Sequence, residues 1–212
     1  MFSAMILMPI YVQTIKGISP IDSGLLMLPG ALLMGIMSPI TGKLFDKYGA
    51  KVLAITGMSI VVISTYFFSD LSMETTYLQI MGIYTIRMFG ISMVMMPVMT
   101  NGLNTLPMKA YPHGTAMNNT LQQVSGAIGS ALLITIMNTR TTSAAKDLAL
   151  SGADPASILK TSMLEGINYT FFISTFIAAI ALVLTLFIKK PTRVVTEEEK
   201  DQVYKQQPVT ES

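Results

Sequence analysis

At 212 residues, 51% hydrophobic and 12% charged, the chain carries about half the roughly one-quarter charged share of an ordinary soluble domain. A soluble surface needs charge along every helix, whereas here the charges clump between long apolar runs, so composition points to a chain solvated by lipid. The lack of cysteine excludes disulfides, thiolate metal sites and a Cys nucleophile, the lone His113 excludes a histidine metal cluster, and a net charge of +2 without an aromatic-interleaved basic patch argues against nucleic acid.

Six apolar runs approach the ~20 residues needed to cross a ~30 Å hydrocarbon core. They cover about 1 to 15, 22 to 42, 52 to 69, 77 to 100, 114 to 138 and 167 to 188. The expected fold is all-α, a polytopic bundle of six transmembrane helices over residues 1 to 188, followed by a polar tail at 189 to 212.

The first run, "MFSAMILMPIYVQTI", rises only ~22 Å at about 1.5 Å per residue. It lacks the positive leader and cleavage site of a signal peptide. It reads as the end of a helix that starts earlier, or else as a short or re-entrant first segment. In the second run Gly24, Ala31, Gly35, Ser38 and Gly42 follow at steps of seven, four, three and four. That spacing gives one face of small residues, which lets another helix approach closely in lipid. Pro29 and Pro39 are expected to bend this helix.

Between the second and third runs lies "GKLFDKYGAK", residues 42 to 51. Lys43, Lys47 and Lys51 resist translocation and hold this turn on the cytoplasmic side, while Gly42 and Gly49 supply backbone freedom for a tight reversal. Asp46 has two readings. It pairs with the lysines in water, worth about 0 to 1 kcal/mol, or it docks on an exposed helix N-terminus where the dipole favours an anion.

The fourth run holds Arg87 near its middle, where insertion costs about 2.5 to 3.5 kcal/mol. All twelve acidic residues fall in loops, span ends or the tail, so its partners are amides, carbonyls, water, or an acid from another chain or from sequence outside this one. The fifth run opens with Asn118, Asn119, Gln122 and Gln123 and continues through Ser125, Gly126, Gly129 and Ser130. Side-chain amides in lipid need partners, so these residues serve as interhelical glue, as a cytoplasmic gate, or as both. Residues 139 to 166 read as a long connection broken by Gly152 and Pro155. In the tail, Thr196 and Glu199 form a weak capping box.

With each run crossing once and the tail cytoplasmic, nine basic residues lie inside (Lys43, Lys47, Lys51, Lys109, Lys189, Lys190, Arg193, Lys200, Lys205) against four outside (Lys16, Arg140, Lys146, Lys160). That bias fixes the expected orientation.

"GKLFDKYGAK" resembles the signature loop G-x-L-x-D-[RK]-x-G-[RK]-[RK] of the major facilitator superfamily of transporters, with Ala50 where a basic residue is usual. "IRMFGISMVMMPVMTNGLNTLP" and "HGTAMNNTLQQVSGAIGSALLITIMN" are similar to the carboxyl-terminal half of the fourteen-helix drug/proton antiporter subfamily, the EmrB/QacA type. The resemblance implies a bacterial cytoplasmic-membrane exporter driven by the proton gradient, built of two six-helix halves around a central cavity, with the amino-terminal half absent here. It implies that the first and fourth helices line the cavity, making Met5, Met8, Tyr11, Gln13, Tyr84, Arg87, Met88, Ile91 and Met95 substrate candidates. It also implies that the second and fifth helices slide against the other half, which makes Gly24, Ala31, Gly35, Ser38, Asn118, Asn119, Gln122, Gly126 and Gly129 gate or packing candidates. Gly42, Asp46, Lys47, Gly49 and Lys51 carry the signature loop.

The implied partners are lipid, the other half, protons and a hydrophobic or cationic substrate. No catalytic grouping, metal site or cofactor is expected. Two alternatives stand beside multidrug export: a same-fold transporter of a lipid, sugar or antibiotic, and a membrane interaction protein that transports nothing.

Overall fold

Helix starts follow the local chemistry of the chain. Ser19 caps the helix that begins at Pro20, its Oγ accepting from the Asp22 backbone N–H at 3.1 Å, and proline at the first helical position sacrifices only an N–H that has no partner there anyway. The Thr76 backbone N–H donates to Gln79 Oε1 at 2.9 Å, the return arm of a capping box. The computed structural model describes residues 2–151 and 154–188. Helix α1 (Phe2–Ile10) runs into a π turn, Tyr11–Ile15; α2 (Pro20–Phe67) ends in a 3₁₀ turn, Phe68–Asp70; α3 (Tyr77–Leu103) is followed by a 3₁₀ turn, Met108–Ala110; α4 (Tyr111–Leu150) and α5 (Pro155–Thr185) complete the order.

The stretches Pro20–Asp70, Tyr77–Leu103, Met108–Leu150 and Ser157–Thr185 are long and apolar enough to cross a membrane, and a shorter apolar helix covers Ala4–Ile15. Expected spans two and three both fall within α2. As a straight rod its 48 residues would reach ~72 Å at about 1.5 Å each. It is a hairpin instead. Gly49 leaves helical geometry with φ 80° and ψ 167°, a region essentially reserved for glycine, and the contacts on either side of it reverse.

In the first arm, the Tyr77 hydroxyl donates to the Asp22 carbonyl at 2.9 Å, Gly30 abuts Tyr84 and Met88, and Ser38 Oγ lies 3.7 Å from Met96 Sδ. Those pairs ascend together, so this arm is parallel to α3. In the second arm Gly57 meets Gly90 while the later Thr65 meets the earlier Arg87, so this arm is antiparallel to α3. The second crossing is tight. A Cβ on Gly57 would sit 2.6 Å from the Gly90 carbonyl oxygen, and one on Gly90 would sit 2.8 Å from that of Gly57.

The core lies toward the α1 end of the bundle. Leu7, Met8, Tyr11 and Val12 are buried with Ile80, Tyr84, Phe68 and Phe171, and the last two rings stand 5.2 Å apart. Polar contacts close this end. The Tyr11 hydroxyl donates to the Ser72 carbonyl at 2.7 Å, Lys16 Nζ to the Met73 carbonyl at 2.6 Å, and Asn168 Nδ2 to the Leu71 carbonyl at 2.7 Å.

Residues 139 to 166 are not a long connection: they are helical on both sides of a short break, which falls between Leu150 and Pro155, where the sequence placed it. Helix α4 continues to Leu150 and α5 already begins at Pro155, so the pair extends as an antiparallel helical hairpin. Arg140 pairs with Glu165, its guanidinium lies 5.6 Å from the Tyr169 ring centre, and Gly166 packs on Thr141. The reason is local: "TRTTSAAKDLAL" contains no breaker, and Pro155 opens a helix, where proline is well tolerated, rather than interrupting one. Gly152 and the polar tail at 189–212, with its Thr196 and Glu199, lie outside the described residues.

Candidate functional site

A cavity of about 330 Å³ lies between the second arm of α2, α3, α4 and α5. Its polar lining is Arg87, Thr65, Ser125 and Ser174; the rest is aliphatic or methionine, including Ile91, Met95, Leu132 and Ile177. Three of the polar groups are built into the helices rather than draped over a surface. Arg87 is only 2% exposed, and its Nε donates to Thr65 Oγ1 at 3.2 Å. The Thr65 hydroxyl in turn donates to the Val61 carbonyl one turn back at 2.6 Å, which turns its lone pairs toward the guanidinium. The Ser174 hydroxyl is buried on the cavity wall and has no hydrogen-bond partner among the described residues.

None of the described lining residues is acidic. Burying a guanidinium in apolar surroundings is costly unless polar groups or a counter-charge offset it. Thr65 supplies one such polar group on the cavity side.

Arg87, Ile91 and Met95 share this wall, at steps of one turn along α3. The remaining lining candidates lie elsewhere. Tyr84 and Met88 turn toward Gly30 on the first arm of α2. Met8 and Tyr11 are packed in the core, while Met5 is 64% exposed and Gln13 is exposed, with its Nε2 3.4 Å from Ser23 Oγ.

The small-residue stripe has no neighbour within this chain along most of its length. A Cβ on Gly24 or Gly35 would meet nothing within 4 Å, Ala31 and Ser38 are exposed, and a Cβ on Gly42 would lie 3.9 Å from Met96 Cε. Close helix approach within the chain falls instead to Gly30, Gly57, Gly90 and Gly166, which sequence reasoning passed over. Their signal was present as glycines inside apolar runs, but nothing in the pattern ranked them above Gly24 or Gly35.

Around the signature loop, Gly49 makes the reversal, and Asp46, Lys47 and Lys51 are exposed; Lys47 Nζ lies 5.2 Å from the Tyr48 ring centre. Along α4, Asn119 and Gln122 are exposed, Asn118 is half-buried, Gly126 is buried, and Gly129 joins the cavity wall. Thr65 and Ser174 were not singled out from the sequence; each sits in a Ser-Thr pair, Ser64–Thr65 and Ser174–Thr175, within an apolar run, and nothing in the pattern tells which hydroxyl of the pair faces the cavity.

The profile of the Major Facilitator Superfamily matches residues 1–130. YhcA of Bacillus subtilis, described as an uncharacterized MFS-type transporter, is 51% identical over 157 residues, covering 73% of this chain and 30% of that protein. The lincomycin resistance protein LmrB of Listeria innocua is 45% identical over 188 residues, covering 89% of this chain and 39% of its own length. The multidrug transporter protein MdtP of Bacillus subtilis is 25% identical over 251 residues, covering 97% of this chain and 46% of its own length. The chain spans less than half the length of these relatives. With more than half of its residues under that profile, and helices long and apolar enough for a bilayer, this chain belongs to the Major Facilitator Superfamily of membrane transporters.

Proposed function

We propose that the chain is the carboxyl-terminal six-helix half of a proton-coupled exporter of drugs or other hydrophobic or cationic compounds, of the fourteen-helix type. The observation that carries this reading is the 45% identity to a lincomycin resistance protein over 188 residues. The likeness to MdtP, whose name describes a multidrug transporter, supports it. The six crossings are α1 with its π turn, the two arms of α2, α3, α4 and α5, with the tail in the cytoplasm of a bacterial cell.

On this reading the half moves as one body. The α2 hairpin and α3 form a tightly crossed unit, and rocking of such units about a fixed midplane site is how alternating access works in repeat-built transporters. The exposed stripe of Gly24, Ala31, Gly35 and Ser38, with the amide-bearing start of α4, faces the amino-terminal half and gates the route between them. Coupling to protons requires a titrating group at depth. All twelve acidic residues of this chain lie away from mid-membrane, so the coupling carboxylate belongs to the other half.

Proteoliposomes bearing the complete transporter are expected to take up a cationic dye when a proton gradient is imposed, while proteoliposomes bearing this chain alone are not. Robust gradient-driven uptake by the chain alone would sink the half-transporter reading. Competition by lipids or sugars instead of drugs would reassign the substrate.

A further inference from the structure

We infer that the cavity between the second arm of α2, α3, α4 and α5 takes a small neutral amphiphile from the bilayer, a molecule whose single hydroxyl or carbonyl bonds Ser174 and whose short hydrocarbon body lies against α4 and α5. This goes beyond the export reading, because it concerns a site inside one half and is tested by occupancy of this chain, with no transport measured.

The Ser174 hydroxyl points to the guest. A serine or threonine in an apolar helix commonly satisfies its hydroxyl on its own backbone one turn back, and along α5 Ser162, Thr170, Thr175 and Thr185 do so. Ser174 does not. It is 8% exposed on the cavity wall, and its Oγ has no hydrogen-bond partner among the described residues. Leaving a buried hydroxyl in that condition is costly, and the space from which a partner can reach it is the cavity. Arg87 is engaged inside the protein, by Thr65 and by a further contact, so it contributes wall and leaves recognition to Ser174. The rest of the surface decides the body of the guest. Met58, Val61, Leu132, Leu133, Ile177 and Ala178 are apolar, and moving an ion from water onto such a surface costs far more than moving a neutral group. At about 330 Å³ the cavity stands at the small end of ligand pockets, which run from roughly 300 to 1,000 Å³, so a short chain fits better than a drug-sized molecule. Leu132 and Ile177 line the cavity and are exposed, beside the exposed Ile128, Phe176 and Ile180, so the cavity borders apolar faces through which a bilayer-dissolved guest enters.

The test uses the full chain in nanodiscs with a photoreactive octanol as probe, and mass spectrometry to find the labelled residues. Saturable labelling of cavity-lining residues of α4 or α5 is expected, over an unsaturable background on exposed residues such as Phe172. At equal mole fraction in the bilayer, octanol should compete about fivefold better than octane, the share of one neutral hydrogen bond, and octyltrimethylammonium should not compete. Ser174→Ala should bring octanol down to the level of octane. Because it deletes a hydroxyl that has no partner among the described residues, it leaves the fold intact. Thr175→Val, at the adjoining hydroxyl that bonds the Phe171 carbonyl, should leave the octanol preference unchanged. Ala178→Phe fills the cavity and should abolish saturable labelling while the protein keeps its helix content and elution volume. Equal competition by octane or by the ammonium compound, an octanol preference that survives Ser174→Ala, or labelling that does not saturate would overturn the site. Gradient-driven uptake plays no part, so the export reading stands or falls separately.

Discussion

The α2–α3 unit and the α4–α5 hairpin are both long apolar helix pairs, yet they satisfy themselves differently. The apolar stretches of α2 and α3 are more deeply buried inside the chain than those of α4 and α5. The first pair crosses at backbone distance through Gly57 and Gly90. The second keeps Met117, Leu121, Val124, Ile128 and Leu132 of α4 exposed, together with Phe172, Phe176 and Ile180 of α5. In lipid there is no hydrophobic push between helices, because the tails are as apolar as leucine. Each pair has one close approach, Gly57 against Gly90 in the first and Gly166 against Thr141 and the Met137 carbonyl in the second, so the difference lies in the remaining faces, which other helices cover on α2 and α3 and which α4 and α5 leave to lipid or to another helix.

The largest expected break is in the tight crossing. Gly90→Leu drives a side chain into the Gly57 carbonyl and Ile60, and should cost about 3 kcal/mol or more, beyond ordinary overpacking, because backbone must move. The same change at Gly35, where a Cβ meets nothing within 4 Å, should shift stability of this chain by no more than about 1 kcal/mol. Thermal unfolding of both variants in one detergent checks the contrast, and equal losses would dissolve the distinction between the two kinds of glycine.

A smaller effect is expected at the reversal. Gly49→Ala forces a Cβ onto φ 80° and ψ 167°, which should cost about 1 to 3 kcal/mol, although no atom lies within 4 Å of the added carbon. Gly42→Ala, at a helical position in the same loop, serves as the control in chemical unfolding. The smallest effect belongs to the α4–α5 hairpin. Arg140 and Glu165 are each 43% exposed as side chains, and a double-mutant cycle on the pair should return about 0 to 1 kcal/mol, falling as salt is added. A coupling as large as the Gly90 effect would mean that the hairpin, and not the crossing, holds the bundle.

Much of the architecture was readable before any coordinates, because lipid limits what a spanning chain can be. Long charge-poor runs have to be helical to satisfy their own backbone, and the clustered charges of "GKLFDKYGAK" marked the place where the chain turns back at Gly49. At 139–166 the break between Leu150 and Pro155 was legible, but the residues on either side were not counted with the neighbouring helices because they are too polar to read as part of a crossing. The cavity was half legible: Arg87 stood out as a charge at depth, but Thr65 and Ser174 did not. A hydroxyl in an apolar helix commonly bonds its own backbone one turn back, as Ser64 does to Ile60, so only position tells which hydroxyl faces a guest.

The sequence by itself determined that the chain is built of apolar helices suited to a bilayer and that one guanidinium must find polar partners among them, since each follows from the cost of exposing polar groups to hydrocarbon. The tertiary structure alone decided the rotation of each helix: that α3 turns Arg87, Ile91 and Met95 to a cavity and Tyr84 and Met88 to Gly30, and that Gly57 and Gly90, not Gly24 and Gly35, carry the close approach. In water an amphipathic stripe would have announced those faces. In lipid both sides of a helix are apolar, and the choice passes to shape.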